Sequence, residues 1–328
     1  MVNRIFRSIK SRTKEAITQI LGLIFGRLEC RLVNKYYANE LVYPPIFIVG
    51  APRTGSTILY QLISNCFDVL YFNNLMMWFV HIPVVGMMLN QKLYRDKSHN
   101  SFQSCFGQTF GLNSPAECGT FFYRWIPLPS ETDFLDPLDI SDECCKELRN
   151  VISALVHRYR RPILFKHMGI GQKLKVIARL FPEAIIIICR RNPVFTAQSI
   201  IEVRERISGN RTTWWSIRPK QTNALLDEHY VDQVVKQVYY IEQQINNDLK
   251  LFHPERCLTV TYDDLCRDPR NITSILEGIF ARISVQLKRK WKARIPNIKS
   301  SNVIRVKPEI YNKIKDAVDK LDWINYVD

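Results

Sequence analysis

Short runs of consecutive apolar residues alternate along the chain with longer segments in which apolar residues recur every three or four positions. Such short runs are typical of strands buried on both faces of a parallel sheet, and the periodic segments indicate helices. The predicted strands cover 46–49, 163–165, 184–189 and 258–261. The predicted helices cover 58–64, 141–160, 172–181, 194–206, 230–251 and 269–281. This alternation predicts an α/β fold with a central parallel β-sheet flanked by helices.

Two segments depart from the alternation. Residues 3–35 combine apolar and basic positions, which predicts one or two basic amphipathic helices, and Pro44-Pro45 ends this region. The segment lies either on a membrane surface or against its own domain. We therefore predict an N-terminal helical segment over 1–43 and a domain over 44–328. Within that domain, residues 75–135 are rich in aromatic residues, Met and Pro and are predicted to form an irregular insertion.

Charge is concentrated near the two ends of the chain. The 328 residues include 46 Lys and Arg against 31 Asp and Glu, a formal net charge of +15. Residues 1–35 carry eight basic and two acidic side chains, residues 285–315 carry ten and one, and the remainder is neutral. This distribution argues against a nucleic-acid-binding protein and favours a local anionic partner, either a phosphate-bearing ligand or a lipid surface.

The nine cysteines predict neither a disulfide framework nor a structural zinc site. Their number is odd, Cys144 and Cys145 are adjacent, and no CxxC spacing occurs. Reduced thiols fit a cytoplasmic protein. No signal peptide is apparent, and the apolar stretch 17–25 is shorter than the roughly 20 residues that a transmembrane helix needs.

A glycine-containing loop follows the first predicted strand. Gly50-x4-Gly55-Ser56-Thr57 has the spacing of a Walker A loop, but Ser56 stands where that loop has its Lys. The backbone N–H groups of such a loop and the N-terminus of the following helix can hold an anion. Arg53 adds a positive charge. The alternative is a tight turn between a strand and a helix.

The third predicted strand also ends in cationic residues. Residues 184–189 are followed by Arg190-Arg191-Asn192-Pro193, and Ser199 lies eight residues after Arg191. A nucleotide triphosphatase would place a magnesium-binding Asp near such a strand end. The two guanidiniums instead predict phosphate binding without a metal, and a salt-bridge cluster at the sheet edge is the alternative.

At these two motifs the sequence resembles the sulfotransferases that use 3'-phosphoadenosine-5'-phosphosulfate (PAPS). Their Pro-Lys/Arg-Ser/Thr-Gly-Ser/Thr-Thr loop matches Pro52 to Thr57, and their Arg-Asn/Asp-Pro motif with a later Ser matches 191–193 and Ser199. A weaker match is Tyr262-Asp-Asp-Leu265, whose Tyr lies near the adenine in the family. The resemblance spans about 46–281 and implies the P-loop NTPase-like sulfotransferase fold, with PAPS as co-substrate and no metal.

The resemblance also assigns residues to the co-substrate. The loop would bind the 5'-phosphosulfate, and the second motif would bind the 3'-phosphate. The implied PAPS-binding residues are Arg53, Thr54, Gly55, Ser56, Thr57, Arg191, Ser199 and Tyr262.

The sequence departs from the family at two places. Some members stack adenine on a Trp directly after the loop, where this chain has Ile58, and the Arg-Lys-Gly loop that closes over the nucleotide has no match. The basic stretches 288–294 and 299–305 are candidates to replace that loop. A solvated basic helix is the alternative.

For catalysis, the resemblance places Arg53 beside the bridging oxygen and Lys166 beside the sulfonate. The base that takes the acceptor proton is left open between Glu117, in a Ser-Pro-x-Glu segment, and His167, because Asn73-Asn74 stands where many relatives have a Glu.

We predict transfer to a hydroxyl of a small-molecule, lipid or glycan acceptor bound by the 75–135 insertion. The N-terminal segment favours a protein that is peripheral to a membrane. Two alternatives are a P-loop nucleotide kinase or NTPase and an inactive nucleotide- or membrane-binding module of the same fold.

Overall fold

The computed structural model describes residues 2–95, 97–127, 131–283 and 285–323, with side chains described from residue 13 onward. Its strands are β1 Ile46–Gly50, β2 Leu70–Tyr71, β3 Ser104–Cys105, β4 Gln108–Thr109, β5 Ile163–Lys166, β6 Ile185–Arg190 and β7 Cys257–Thr261. Five of them form one parallel sheet in the order β2-β5-β1-β6-β7. The predicted central parallel sheet is confirmed. Strand β2 was not predicted because two residues show no periodicity.

The described helices surround this sheet. They are α1 Val2–Tyr36, α2 Ser56–Cys66, α3 Pro83–Tyr94, α4 Gly119–Phe122, α5 Asp142–Tyr159, α6 Leu174–Leu180, α7 Pro193–Ser208, α8 Thr222–Leu225, α9 Tyr230–Leu249, α10 Tyr262–Arg267, α11 Pro269–Arg282 and α12 Pro308–Asp319. Each predicted helix is present. The one predicted at 172–181 is α6 preceded by a 3₁₀ turn at Met168–Gln172.

The apolar core lies on both faces of the sheet, which explains the continuous apolar runs. Phe47 and Val49 of β1 pack into one cluster with helices α5, α6, α7 and α9. Ile46 and Ile48 pack into a second cluster with α2 and α11 on the opposite face. Successive residues of a strand point to opposite faces, so a strand covered on both sides must be apolar at every position.

The register of the sheet brings four strand ends to one edge. Gly50 pairs with Cys189, Ile48 with Lys166, and Arg190 with Thr261. The loop after β1, the last residue of β5, the arginines at the end of β6 and Tyr262 after β7 therefore meet at the carboxyl edge, where ligands bind in open α/β sheets.

One side of helix α1 packs against the rest of the protein. Its Glu29 carboxylate is buried and accepts hydrogen bonds from the amides of Val84 (2.9 Å) and Val85 (2.8 Å) at the start of α3. Another side carries apolar side chains in solvent, with Ile20 54%, Leu23 85% and Ile24 64% exposed. The first part of the predicted amphipathic segment, residues 3–12, lies outside the part of the chain with described side chains. No described helix has the length and apolarity needed to cross a bilayer.

The 75–135 insertion contains elements that the sequence analysis did not predict. It includes a 3₁₀ turn at Met76–Trp78, helix α3, the β3–β4 hairpin and the short helix α4. The hairpin strands are two residues long, so they leave no periodic signal.

Candidate active site

A cavity opens at the carboxyl edge of the sheet and collects most of the residues predicted for the site. The predicted residues that line it are Arg53, Gly55, Ser56, Thr57, Glu117, Lys166, Arg191 and Tyr262. They come from five separate parts of the chain. The three predicted residues that do not line it are Thr54, Ser199 and His167.

The loop after β1 takes a conformation that its sequence permits. Gly55 has φ 89°, and a Cβ there would lie 2.7 Å from Cδ2 of Tyr262, so this position requires glycine. Arg53 has φ 72°, an uncommon conformation for a residue with a side chain. Helix α2 begins directly after Gly55 with no side-chain cap, so the N–H groups of its first turn remain available to an anion.

Two of the predicted phosphate ligands bond to each other. Nε of Arg53 donates to Oγ of Ser199 at 2.9 Å. The hydroxyl of Thr54 is buried and donates to the Ala51 carbonyl at 2.8 Å, so its side chain stabilises the loop. Ser199 is therefore connected to the site by its hydrogen bond with Arg53, and Thr54 stabilises the loop without lining the cavity.

Arg191 is held by the segment near the C-terminus. Its Nε donates to Asn302 Oδ1 at 2.7 Å, its Nη2 donates to the carbonyl and hydroxyl oxygens of Ser301, both at 3.1 Å, and its Nη1 donates to the Arg53 carbonyl at 3.0 Å. The guanidinium carbon also lies 4.5 Å from the centre of the Tyr262 ring. A phosphate that binds Arg191 has to share or replace the bonds to Ser301 and Asn302.

The two predicted closing segments lie in different places. Ser301 lines the cavity, and Arg305 pairs with Glu202 of α7 at 2.9 Å. The stretch 288–294 packs elsewhere: the amide of Lys290 donates to the Cys66 carbonyl at the end of α2, and Arg289 pairs with Glu277 of α11. Only the second stretch, 299–305, reaches the site.

Glu117 faces Lys166 across the cavity wall. Glu117 Oε2 lies 3.2 Å from Lys166 Nζ, and Glu117 Oε1 accepts a hydrogen bond of 3.1 Å from the Met168 amide. Burial alone raises the pKa of Glu117, but the Lys166 ammonium, His167 and the Met168 amide outweigh it and hold that pKa well below its usual range. The carboxylate is therefore ionised and able to accept a proton only weakly.

Backbone hydrogen bonds to two strands hold Glu117 in place. The Ala116 amide donates to the Phe72 carbonyl at 2.8 Å, just beyond β2, and the Cys118 amide donates to the Lys166 carbonyl at 3.3 Å at the end of β5. Glu117 is thus fixed between two strand ends although it belongs to a loop.

His167 lies behind Glu117. Its Nδ1 is 3.6 Å from Glu117 Oε1, slightly too far for a hydrogen bond, and its Nε2 is 2.9 Å from the Tyr123 hydroxyl. Of the two candidate bases, only Glu117 lines the cavity.

The cavity also contains residues that the sequence did not mark individually. They are Ser104, Phe106 and Gly107 of the hairpin, Met168 after β5, and Trp215 and Ser216 after α7, and Ser301 lines the cavity from within the predicted closing stretch 299–305. A Gly at a two-residue turn is a hairpin signal, but the flanking strands are too short to support it. Nothing in the local sequence marks Trp215, because only tertiary packing brings it here.

No group of three or more His, Cys, Asp or Glu in the described ranges is arranged to hold a metal ion.

A model of the sulfotransferase family matches residues 44–280, well over half of the chain. The chain therefore belongs to the sulfotransferase family, which confirms the resemblance noted above at the level of the family.

Individual relatives are distant. Over 283 residues the chain is 25% identical to omega-hydroxy-beta-dihydromenaquinone-9 sulfotransferase Stf3 of Mycobacterium tuberculosis and of Mycobacterium bovis, a match that covers 77% of this chain and 66% of each relative. The chain thus spans slightly less than two thirds of these curated relatives.

Two solved structures are also similar. Sulfotransferase STF9 from Mycobacterium avium has a TM-score of 0.47 at 12% identity, over 88% of this chain and 71% of that one. A sulfotransferase from Alicyclobacillus acidocaldarius has a TM-score of 0.45 at 16% identity, over 84% and 92%.

Proposed function

We propose that this protein transfers the sulfuryl group of PAPS to a hydroxyl group of an amphiphilic acceptor. The observation that carries the proposal is the meeting of the phosphate-binding loop, Arg191 and the Glu117–Lys166 pair in one cavity. Sulfuryl transfer needs anion-binding groups for the donor, a cation near the transferred group and a base for the acceptor proton. Each requirement has a candidate in this cavity.

In this proposal the donor lies along the carboxyl edge of the sheet. The N–H groups at the start of α2, with Arg53, Ser56 and Thr57, bind the 5'-phosphosulfate, and Thr54 and Gly55 shape the loop. Arg191 and Ser199 bind the 3'-phosphate, and Tyr262 lies near the adenine. Guanidinium groups suit this task because their donors match the oxygens of a phosphate.

Glu117 acts as the base because it lines the cavity and is ionised. Its low pKa makes it a weak base while Lys166 is paired with it. When the sulfonate arrives, Lys166 turns toward the new negative charge, and the loss of this partner strengthens Glu117. Donor binding would thereby activate the base only when the group to be transferred is present.

The proposed acceptor is a lipid-like alcohol. Stf3 is named for an omega-hydroxylated menaquinone, which is a lipid-like alcohol. The apolar side chains exposed on α1 and the basic residues in 1–35 suit a helix that lies in the surface of an anionic membrane. We therefore propose a cytoplasmic, membrane-peripheral enzyme. Residues 1–43 form the membrane-facing segment, 44–328 the transferase domain, and 75–135 the acceptor-binding region.

Thermal shift measurements test the donor. We expect adenosine 3',5'-bisphosphate to stabilise the protein without added magnesium, because binding to the folded state alone raises the melting temperature. Stabilisation by MgATP and not by the bisphosphate would support a kinase or NTPase and contradict the proposal.

Transfer of labelled sulfate from PAPS tests the acceptor. Farnesol, dodecanol and glucose represent an isoprenoid alcohol, a straight-chain alcohol and a sugar. Transfer to either alcohol supports the proposal. Transfer to glucose alone contradicts the amphiphilic acceptor, and bisphosphate binding with no transfer to any acceptor favours an inactive module.

A further inference from the structure

A row of three side chains leads from the cavity into the protein. Glu117 lines the cavity, His167 Nδ1 lies 3.6 Å from Glu117 Oε1, and His167 Nε2 lies 2.9 Å from the Tyr123 hydroxyl. Tyr123 is in the turn that follows α4 and was not singled out in the sequence. The three groups are therefore in successive contact, and of the three only Glu117 lines the cavity.

The histidine ring occupies a place that is shaped for it. A Cβ on Gly119 would lie 2.8 Å from the ring's Cε1, and a Cβ on Gly169 would lie 3.0 Å from Nε2. The Tyr123 ring meets the imidazole edge to face, with centroids 5.3 Å apart and an interplanar angle of 81°. Two glycines and one aromatic ring thus set the orientation of His167.

One nitrogen of this ring has a carboxylate as its neighbour. Nδ1 is buried and lies 3.6 Å from Glu117 Oε1, slightly beyond hydrogen-bond distance. Buried polar atoms normally have hydrogen-bond partners because an unpaired one costs free energy. A buried ring nitrogen this close to a carboxylate that lines the cavity is positioned to exchange a proton with it.

We infer that His167 receives the proton that Glu117 removes from the acceptor, and that Tyr123 is the positioning residue that holds the imidazole for this transfer. The inference rests on the proposed role of Glu117 as the base. It changes the role of His167 from an alternative base to the second member of a relay.

In the proposed reaction each bond that forms is matched by a bond that breaks. The acceptor oxygen forms a bond to sulfur as its O–H bond breaks, and the S–O bond to the phosphate breaks with its electrons left on the leaving phosphate. The proton goes to Glu117 and then to Nδ1 of His167, while Nε2–H donates to the Tyr123 oxygen. Glu117 regains its negative charge beside an imidazolium, which returns the proton to water after the product leaves.

Several charged or polar groups lie next to the ring. They are the Glu117 carboxylate, the Tyr123 hydroxyl, the Lys166 ammonium, the Cys118 thiol beside the Lys166 carbonyl, and Asp133, whose Oδ1 is near Gly169. Only the neutral form of an imidazole can accept a proton, so the relay operates with an uncharged ring.

Kinetics of Tyr123→Phe and His167→Gln test the relay, with PAPS and the faster of farnesol and dodecanol. We expect kcat to fall about tenfold in Tyr123→Phe and about 100-fold in His167→Gln, since assisted proton transfer contributes factors of this size. The KM for PAPS and bisphosphate binding should stay within about twofold, because neither residue contacts the donor.

Tyr159→Phe is the matched control. Tyr159 is also half-buried and bonds to one side chain, Arg158, at the end of α5. This variant should keep the wild-type kcat. In His167→Ala, added imidazole should restore part of the activity, and it should have no effect on the wild type.

A measurement without an acceptor tests the same geometry. The relay requires that the neutral ring of His167 carries its proton on Nε2, which ¹⁵N NMR detects. A proton on Nδ1 would overturn the relay, as would a kcat above half of wild type in both variants. If Glu117→Gln also kept its activity, the assignment of Glu117 as the base would itself be wrong. If the wild-type protein did not bind the bisphosphate, that result would contradict the proposed donor.

Discussion

The proposed donor side and the proposed base side of the site are assembled in different ways. The donor side, Arg53, Gly55 to Thr57, Arg191 and Tyr262, follows directly after three neighbouring strands, and the sheet register brings these residues together. The base side, Glu117, Lys166, His167 and Tyr123, has only one strand residue, Lys166. Glu117 is held by backbone bonds to the ends of β2 and β5. A phosphate site can thus be encoded in short local motifs, whereas the base depends on contacts between distant segments.

The largest expected effect comes from removing the proposed base, which leaves the proposed donor side intact. Glu117→Gln keeps the shape of the side chain but cannot take a proton, so kcat should fall by about 10²–10⁴. Bisphosphate binding should be unchanged in calorimetry, because Glu117 is not on the donor side. A kcat close to that of the wild type would remove Glu117 as the base.

The second effect tests the donor side. Arg191→Gln should weaken bisphosphate binding about 10- to 100-fold, because hydrogen bonds to charged groups contribute about 1.5–3 kcal/mol. The dissociation constant from calorimetry checks this, and kcat at saturating PAPS should change much less. Arg149→Gln is the control, since Arg149 is partly buried and pairs with Glu183 away from the cavity. Equal effects of the two substitutions would argue against a phosphate at Arg191.

The third effect concerns α1, the helix proposed to lie on a membrane surface. Replacing Ile20, Leu23 and Ile24 together by Ser should weaken binding to anionic vesicles about tenfold or more, because each side chain loses apolar contact with the lipid. Vesicle co-sedimentation measures it. Leu138→Ser is the control, as Leu138 is 91% exposed outside α1. Vesicle binding that survives the triple substitution would place the membrane contact elsewhere.

The smallest expected effect is a change in pH dependence. In Lys166→Gln the ammonium is gone but burial remains, so the pKa of Glu117 rises. A carboxylate with a raised pKa is protonated as the pH falls through that value, so normalised kcat should be lost at higher pH than in the wild type. The pH–rate profile shows the direction of this change. If kcat in the variant were instead lost at lower pH than in the wild type, that result would contradict the pairing of Glu117 with Lys166.

The sequence by itself determined the parallel sheet, most of the helices and the place of the residues proposed to bind the donor. Continuous apolar runs identify strands that are covered on both faces, and the residues just after a strand end always lie at the same sheet edge. The positions of Arg53 and Arg191 after strand ends therefore place both at one edge of the sheet, whereas only the resemblance to the family assigns them to one ligand.

Only the tertiary structure decided how the two candidate bases are arranged. His167 directly follows Lys166 in the chain, yet successive residues near a strand end point to opposite sides, so Lys166 lines the cavity and His167 lies behind it. Glu117 reaches Lys166 across 48 intervening residues. The contacts of Ser301 and Asn302 with Arg191, and of Tyr123 with His167, are equally nonlocal. No local pattern predicts such contacts, because they depend on how separately formed elements pack together.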